Sequence, residues 1–495
     1  MNYGVIRKIL GKIYIFLALL MVLPLVVSFI YLEGFKHYLA FIVPIVLLGL
    51  IGGLLSFKKI NNTRIGVREG ILIVGISWLS MSIFGALPFL ISGQIPNFFT
   101  AVFEITSGFT TTGSSALTTE ELEALSHSML FWRSFSHWIG GMGVLVFILA
   151  IIPESKDGSS VHILRAESPG PQVGKLVSKM QITSRILYLI YLALSALEFI
   201  VLLLIPDNKI GIFEAFIYTF GTAGTGGFST TGASIACYSP VTQYVIAVFM
   251  IIFGINFSMF YFLLIGNFKE VFKNEELRLY FGVVICSVIA IALNIYHLYG
   301  NVEQTFRYSF FTVSSIISTT GFANVDYLTD GWPALSLGII CLLSIFGSCA
   351  GSTAGGMKLS RVLIIFKYAK MKIRNQISPR KVEAIRMDGK VVDKGVIDFT
   401  LAYFVVYFIV LIGSALIISI YNPALPNLDP ITSLTASLTC ISNIGPGLGL
   451  VGPSGSFSGF SDFSKVILSL EMIAGRLELF PILVMFYPKT WMKRA

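Results

Sequence analysis

Hydrophobic residues run along this chain in stretches of about 20, which alternate with shorter polar segments. About 20 apolar residues are enough for a helix to cross the roughly 30 Å hydrocarbon core of a bilayer. The stretches are continuously apolar and lack a period of two, which disfavours a β-barrel. The pattern predicts ten membrane-spanning helices, at about 10–34, 38–57, 69–92, 128–152, 182–206, 241–266, 278–299, 333–366, 396–421 and 464–488.

Composition and charge indicate how these spans are oriented in the membrane. With 55% hydrophobic and 12% charged residues in 495, the chain cannot form a soluble domain with a charged surface. Of its 35 lysines and arginines, 29 fall on one side of the predicted membrane. We therefore predict an all-α polytopic membrane protein with both termini in the cytoplasm. The net charge of +9 reflects topology, and no nucleic-acid partner is predicted. The predicted intracellular segments are 1–12, 58–68, 153–185, 266–280, 358–395 and 489–495.

Four semi-apolar stretches on the predicted outer side are too short to cross a bilayer. Each combines about ten to fourteen helix-forming residues with a phrase rich in glycine and hydroxyl groups, typical of a segment that enters the membrane and returns. Because the arrangement of span, short helix, loop and span occurs four times, we predict four tandem repeats with fourfold pseudo-symmetry around one pore. The stretches are "FFTAVFEITSGFTTTG", "IFEAFIYTFGTAGTGGF", "FRYSFFTVSSIISTTGF" and "DPITSLTASLTCISNIGPG".

The chemistry of these loops indicates a cation path. Non-helical backbone at membrane depth is tolerated where it is buried or lines a water-filled cavity, so four such loops are expected to converge. Backbone carbonyls and hydroxyls can replace the water of a weakly hydrated monovalent cation, and the lack of carboxylates in the loops argues against a divalent-cation filter. The alternative is a secondary symporter, but symporters usually have inverted repeats and carboxylates at the midplane.

Span 8 is interrupted by "GSCAGSTAGG", whose small and hydroxyl residues are poor helix formers. Such a run suits an unwound intramembrane segment, and the alternative is close packing of small residues between helices. We hypothesise that residues 347–358 gate the pore. The predicted gate residues are Gly347, Gly351, Ser352, Thr353, Gly355, Gly356 and Lys358.

Arg476 lies within the last predicted span, where a charge costs about 2.5 to 3.5 kcal/mol or more unless it faces protein or water. Glu471 and Glu478 are not spaced to pair with it on the same helix. One interpretation is a salt bridge to another helix. The other is a cationic barrier that faces the permeation path.

No enzymatic or cofactor site is predicted. The five cysteines form no CxxC pair, and the five histidines lack the spacing of metal ligands. "GLGLVG" at 447–452 follows a re-entrant helix rather than a strand, so it is not a nucleotide site.

Several motifs resemble the TrkH and TrkG type of potassium-translocating subunit of bacterial Trk uptake systems, within the Trk/Ktr/HKT superfamily. The resemblance implies potassium uptake across the bacterial inner membrane, a movable loop at 347–358, a barrier at Arg476, a homodimer, and a cytosolic TrkA-type nucleotide-binding subunit as partner. The motifs are "FWRSFSHWIGGMG" at 131–143, "TGGFST" at 225–230, "GSCAGSTAGGMKLSR" at 347–361, "NIGPGLG" at 443–449 and "AGRLELF" at 474–480.

The resemblance also implies the residues of the potassium filter. In the second loop, Gly226 and Gly227 both remain candidates, because counting from the phenylalanine and counting from the preceding glycine give different answers. The predicted filter residues are Thr111, Thr112, Gly113, Thr225, Gly226, Gly227, Thr319, Thr320, Gly321, Ser442, Asn443, Ile444 and Gly445.

The predicted organisation places two extra membrane helices before four pore repeats. Repeat 3 contains the broken helix, and a basic cytoplasmic loop precedes repeat 4. The predicted boundaries are 1–66 for the extra helices, 67–155, 180–268 and 276–370 for repeats 1 to 3, 371–395 for the basic loop, and 396–495 for repeat 4.

Overall fold

The structure is a computed structural model that describes residues 1–57, 65–143, 180–206, 210–378, 383–422, 425 and 428–491. It is almost entirely helical, and helices are numbered here in chain order among the described residues. Parts of repeat 1 after residue 143 and of the basic loop at 379–382 lie outside the described residues, as does the end of repeat 4 after residue 491. The prediction of an all-α polytopic membrane protein is confirmed.

The first spans form a pair that packs together. α1 and α2 follow each other as one long span, and α1 packs along α3. The helices are α1 (Tyr3–Leu20), α2 (Val22–Ile30) and α3 (Phe35–Phe57).

The rest of the described chain contains four groups of helices, and in each group one helix of 12 to 16 residues, called a short helix here, leads into a glycine-containing loop. The first group is α4 (Val67–Gly85), α5 (Leu87–Ser92), α6 (Phe98–Phe109), α7 (Thr119–Glu123) and α8 (His127–Gly141). The second is α9 (Met180–Leu204), α10 (Ile212–Gly224), α11 (Pro240–Phe253), α12 (Phe257–Leu264) and α13 (Phe268–Lys273).

The third group is α14 (Glu275–Tyr299), α15 (Val302–Ile317), α16 (Ala334–Phe346) and α17 (Leu359–Ile377). The fourth is α18 (Lys394–Ile420), α19 (Pro430–Ser442), α20 (Asp462–Arg476) and α21 (Phe480–Phe486), with 3₁₀ turns at Gly449–Val451 and Pro488–Thr490. The short helices are α6, α10, α15 and α19.

A β-hairpin lies between the third and fourth groups. Its strands are β1 (Arg386–Met387) and β2 (Lys390–Val391), paired antiparallel. Asp388 and Gly389 have φ of 50° and 78°, the backbone of the Asp-Gly turn that favours two-residue hairpins. The Asp388 carboxylate accepts hydrogen bonds from Asn274 Nδ2 at 3.1 Å and Glu275 N at 2.8 Å, so the hairpin is fastened to the start of α14.

Besides the predicted interruption of span 8, two other predicted spans, 241–266 and 464–488, are broken. Among the described residues, six helices are long and apolar enough to cross a membrane, or up to seven if each bent pair is one span. α11 and α12 meet at 91°. Residues 347–358 separate α16 from α17, and α20 and α21 are separated at 477–479, where Glu478 and Leu479 have positive φ.

Buried polar residues occupy the centre, and apolar residues cover much of the outside. Leu54 of α3, Leu293 of α14 and Ile420 of α18 are at least three-quarters exposed, as expected of side chains that contact lipid. Threonine, serine and asparagine side chains of the four loops are instead fully buried. This places the unwound, polar backbone where a membrane protein can tolerate it, away from lipid.

Candidate ion-conduction site

The four short helices end in the same backbone conformation. Thr111, Thr225, Thr319 and Asn443, the residues in the C′ position, have left-handed φ of 56°, 57°, 55° and 55°. Each donates its N–H to a carbonyl three residues earlier, and the next residue donates to a carbonyl five residues earlier. This pair of bonds is the Schellman cap of a helix C-terminus. The four loops thus start from one shared local structure, and we call residues 111–113, 225–227, 319–321 and 443–445 loops 1 to 4.

Threonine is an unusual choice for the left-handed position. The position favours glycine or asparagine, and a β-branched residue there is strained, at a cost of about 1 to 3 kcal/mol. Three of the four loops carry threonine and only loop 4 carries asparagine, which tolerates this conformation best after glycine. Strain that recurs at matching positions is an observation that points to function.

Two residues after each left-handed residue stands a glycine that faces the next loop. Gly113, Gly227, Gly321 and Gly445 have φ of 80°, 75°, 87° and 101°. A Cβ at the first three would lie 2.0, 2.1 and 2.0 Å from carbonyl oxygens of Gly226, Thr320 and Ile444, and one at Gly445 would lie 2.9 Å from Thr112 O. The loops therefore close a ring in the order 1, 2, 3, 4. The geometric counterpart of Gly113 in loop 2 is Gly227, while Gly226 corresponds to Thr112.

Hydrogen bonds join neighbouring loops and their flanking segments. Between loops 4 and 1, Asn443 Nδ2 donates to Thr112 Oγ1 at 3.0 Å and Ser114 Oγ donates to Gly445 O at 3.3 Å. Between loops 3 and 4, Tyr327 Oη donates to Gly447 O at 3.0 Å. The segments after loops 2 and 3 are joined by Ile235 N and Ala323 O at 2.9 Å.

The buried side-chain oxygens in this ring are not all satisfied. Thr111 Oγ1 and Asn443 Oδ1 are buried and have no hydrogen-bond partner among the described residues. Their two loops are neighbours in the ring. Unsatisfied buried polar groups are rare in native proteins and are commonly explained by an ion or water. Thr320 Oγ1, in contrast, pairs with Ser318 Oγ at 2.7 Å, and Ser442 Oγ pairs with Tyr407 Oη at 2.7 Å.

A cavity opens on one side of the ring. Its lining includes all four loop glycines together with the segments that follow the loops. The backbone of the ring is therefore accessible from this side. Residues that contribute to the lining after the glycines include Ser114, Ser115, Phe228, Ser229, Ala323 and Pro446.

The predicted gate segment, residues 347–358, lies against the part of the ring that precedes the glycines. Gly355 N donates to Thr319 Oγ1 at 2.7 Å, and a Cβ at Gly355 would be 2.3 Å from Ser442 O. Gly347 and Gly356 pack on each other, both with positive φ. The segment thus contacts loop 3 and the end of α19, directly under the ring.

Other contacts fasten the gate segment to the bend between α11 and α12. Gly351 O accepts from Phe257 N at 3.0 Å, and Thr353 Oγ1 donates to Phe253 O at 3.3 Å. Within the segment, Ser352 Oγ donates to Cys349 O at 2.7 Å. Lys358 has φ of 64° and its Nζ donates to the carbonyl of Ala354.

A single carboxylate oxygen binds both the gate segment and the first turn of α17. Glu276 Oε1 accepts from Ala350 N at 2.7 Å and from Ser360 N at 2.9 Å. Ser360 lies in the first turn of α17, whose N-cap residue makes no side-chain cap. Glu276 Oε1 therefore supplies the missing cap at the helix N-terminus. This role of Glu276 was not predicted from the sequence, because Glu276 resembles any other acidic residue at the polar start of a span.

Arg476 is the last residue of α20, at the break before α21. Its Nη1 donates to Thr353 O at 2.6 Å, and its Nη2 donates to Gly140 O at 2.6 Å and Gly141 O at 2.5 Å. The guanidinium thus joins the gate segment to the end of α8. Glu478 forms its ion pair with Arg361 of α17, and Glu471 Oε1 accepts from Ser437 Oγ at 2.6 Å.

Two residues of α8 to which no role was assigned from the sequence also contact the ring or the segments that flank it. Arg133 pairs with Glu104 of α6, and both are buried. His137 Nδ1 lies 2.8 Å from Gly108 O, and its Nε2 accepts from Phe228 N at 3.3 Å. The sequence signal available was the spacing of four residues, which places both on one face of a helix.

Comparison with known proteins agrees with this architecture. The family model for the cation transport protein TrkH matches residues 37–493. The Trk system potassium uptake protein TrkH of Escherichia coli K12 is 33% identical over 503 residues, covering 99% of this chain and 100% of that protein. The TrkG protein of the same strain is 29% identical over 493 residues, covering 98% of each.

A solved structure is similar over the same length. The crystal structure of the potassium transporter TrkH from Vibrio parahaemolyticus superposes with a TM-score of 0.85 at 27% identity, covering 99% of this chain and 100% of that one. These matches confirm the resemblance inferred from the motifs. The family transports cations, so the expectation that the chain is not an enzyme is also confirmed. The chain belongs to the TrkH family of cation transport proteins.

Proposed function

We propose that this chain takes up potassium across the bacterial inner membrane through a channel-like pore whose filter is the ring of loops 1 to 4. The observation that carries the proposal is the closed ring, in which each loop glycine packs against a carbonyl of the next loop. Carbonyls held in this way can replace the hydration shell of a monovalent cation. The relatives named above are potassium uptake proteins.

Two further parts of the proposal concern control of the pore. Residues 347–358 act as the gate, supported by their non-helical backbone and their contacts with loop 3 and α19. Arg476 acts as a cationic barrier. Its bonds to backbone carbonyls hold the guanidinium at the break between α20 and α21. Arginine stays protonated in proteins, so its charge opposes passing cations at any physiological pH.

The test is cation flux into proteoliposomes that contain the full chain alone, under an imposed membrane potential and without a proton or sodium gradient. Uptake of potassium and rubidium, with much less sodium and lithium, is the expected result. Flux that appears only when a proton or sodium gradient is added would refute a channel-like conductor.

One observation favours the symporter as a second candidate. Glu198 of α9 is fully buried, and neither of its carboxylate oxygens makes a hydrogen bond among the described residues. The nearby Thr222 hydroxyl donates to Tyr218 O at 2.8 Å. Ionisable groups inside membranes often serve proton relays. If proton-driven uptake occurs and Glu198→Gln abolishes it, the symporter replaces the channel.

We further propose that two copies assemble and that a TrkA-type nucleotide-binding ring regulates them from the cytoplasm, with both termini on that side. The biased distribution of lysine and arginine supports the orientation, and the basic loop at 371–395 offers a surface for the partner. Mass measurement of the purified protein in detergent tests the dimer. Co-purification with a TrkA-type subunit, lost when lysines of the basic loop are changed to glutamate, tests the partner.

A further inference from the structure

Direct hydrogen bonds join the loops or their flanking segments at all four junctions of the ring, and at the junction of loops 1 and 2 Gly232 N donates to Glu123 Oε1 at 3.3 Å. This junction is also bridged by two side chains of α8. They are Arg133 and His137, which lie four residues apart on one face of that helix.

Arg133 acts on loop 1 through Glu104. Arg133 Nε and Nη2 donate to Glu104 Oε2 at 3.1 and 3.0 Å. Glu104 Oε1 accepts from Ser115 Oγ at 2.8 Å and from Ala116 N at 2.5 Å, in the segment that follows loop 1. The Arg133 and Glu104 side chains are 1% and 0% exposed. An ion pair this deeply buried has little freedom, so it fixes the outer end of loop 1 relative to α6 and α8.

Both α8 residues also hold loop 2 through Phe228, which directly follows Gly227. The Arg133 guanidinium carbon lies 3.9 Å from the centre of the Phe228 ring. Phe228 N donates to His137 Nε2, so the His137 proton resides on Nδ1 and is donated to Gly108 O. One imidazole thus connects the end of α6 with the end of loop 2.

We propose that Glu104, Arg133 and His137 are positioning residues that determine how sharply the ring discriminates potassium from sodium. The inference rests on the proposed filter function of the ring. Discrimination by carbonyl oxygens depends on the number, field and placement of those oxygens. Loosening the junction of loops 1 and 2 lets the carbonyls of these two loops move closer to a smaller ion. The other three junctions stay closed. Selectivity then falls even though the pore still conducts.

The experiment measures potassium and sodium flux in proteoliposomes of the full chain. His137→Asn can retain the donor to Gly108 O, and His137→Gln can retain the acceptor for Phe228 N. Glu104→Gln keeps the acceptor oxygen but leaves the Arg133 charge unpaired, whereas Glu104→Gln/Arg133→Gln removes both charges. In each of these four variants, we expect the potassium-to-sodium flux ratio to fall roughly fivefold, which is equivalent to about 1 kcal/mol of discrimination.

His127→Gln is the matched control. His127 lies on the same helix, but it is exposed and stacks on Tyr31 with 3.9 Å between ring centres, away from the loops. This variant should keep the wild-type flux ratio. If Glu104→Gln is not obtained as a monodisperse protein, the two His137 variants decide the question.

The outcomes separate this inference from the function on which it rests. A wild-type chain that does not favour potassium over sodium overturns the proposed filter itself. A selective wild type whose His137 and Glu104 variants keep the same ratio overturns the positioning role alone. If the double variant regains the wild-type ratio while Glu104→Gln does not, the electric field of an unpaired charge is responsible and positioning by the pair is wrong.

Discussion

At the scale of single residues, the ring depends on backbone conformations that most side chains avoid. Loop glycines combine positive φ with contact to a neighbouring carbonyl, so two independent reasons exclude a side chain there. The left-handed threonines add strain that the surrounding packing must hold in place. These positions should therefore be the most sensitive to conservative substitution.

Gly321→Ala should destabilise the protein and abolish selective potassium flux. The new Cβ would lie 2.0 Å from Ile444 O at a φ of 87°, and strained backbone alone costs about 1 to 3 kcal/mol. Thermal unfolding in detergent and flux in proteoliposomes measure the two effects. Gly338→Ala is the control, because nothing lies within 4 Å of its Cβ position and alanine favours a helix. Wild-type behaviour of Gly321→Ala would contradict the tight ring.

Thr225→Asn should raise stability by up to about 1 kcal/mol, because asparagine tolerates the left-handed conformation better than a β-branched residue. Thr225 Oγ1 bonds only locally, to Gly224 O at 2.6 Å, among the contacts described. The melting temperature measures the change. Asn443→Thr, the reverse change in loop 4, should lower stability. Equal melting temperatures for both variants would show that the threonines are not strained.

At the scale of elements, the predictable features were those with a repeated pattern. The four short helices and their loops could be located because the same phrase recurs between long apolar stretches. The choice between Gly226 and Gly227 could not be made, because the spacing from Gly108 to Gly113 equals that from Gly221 to Gly226. In the structure, the loops can be aligned by the left-handed residue that begins each of them. That backbone conformation could not be predicted from the residue types alone.

Contacts between distant parts of the chain could not be predicted from the sequence either. The break at 347–358 was visible as a run of small residues, but its anchor Glu276 is more than 70 residues away. Arg476 was visible as a charge in a span, yet its carbonyl partners come from backbone, which every residue carries.

Glu276→Ala should loosen the gate segment and raise basal potassium flux. The substitution leaves Ala350 N and Ser360 N without their acceptor, at a cost of about 1 to 3 kcal/mol for each buried unsatisfied group. Glu276→Gln retains an acceptor oxygen and should be milder. Glu275→Gln is the control, since Glu275 pairs with Lys367 outside the gate segment. Flux of Glu276→Ala at or below the wild-type level in a folded protein would rule out an anchoring role.

At the scale of the whole molecule, three chain breaks are brought together beneath the ring. The α11–α12 bend contacts the gate segment through Phe253 and Phe257, and Arg476 at the α20–α21 break contacts it through Thr353. The second spans of three groups therefore meet at one place. The three breaks lie in different helices, but hydrogen bonds connect them to one another beneath the ring.

Arg476→Gln should increase basal potassium flux, because it removes the charge while preserving part of the hydrogen bonding. Arg476→Lys distinguishes the causes, since lysine keeps the charge but not the planar fork that reaches Thr353 and Gly140 together. Low flux in the lysine variant supports a charge barrier. High flux in both variants would assign the effect to lost bonds between α8 and the gate segment. Unchanged flux in Arg476→Gln would refute the barrier.

Ionic strength should affect how firmly the hairpin is attached to α14. Asp388 is exposed and the Glu275–Lys367 pair is partly exposed, so dissolved salt weakens the attractions that hold the hairpin. Glu276, the next residue along α14, is buried and its bonds are shielded from salt. This member of a cation transport family thus has one attachment that salt weakens and another that salt leaves intact, and the two are separated by a single peptide bond.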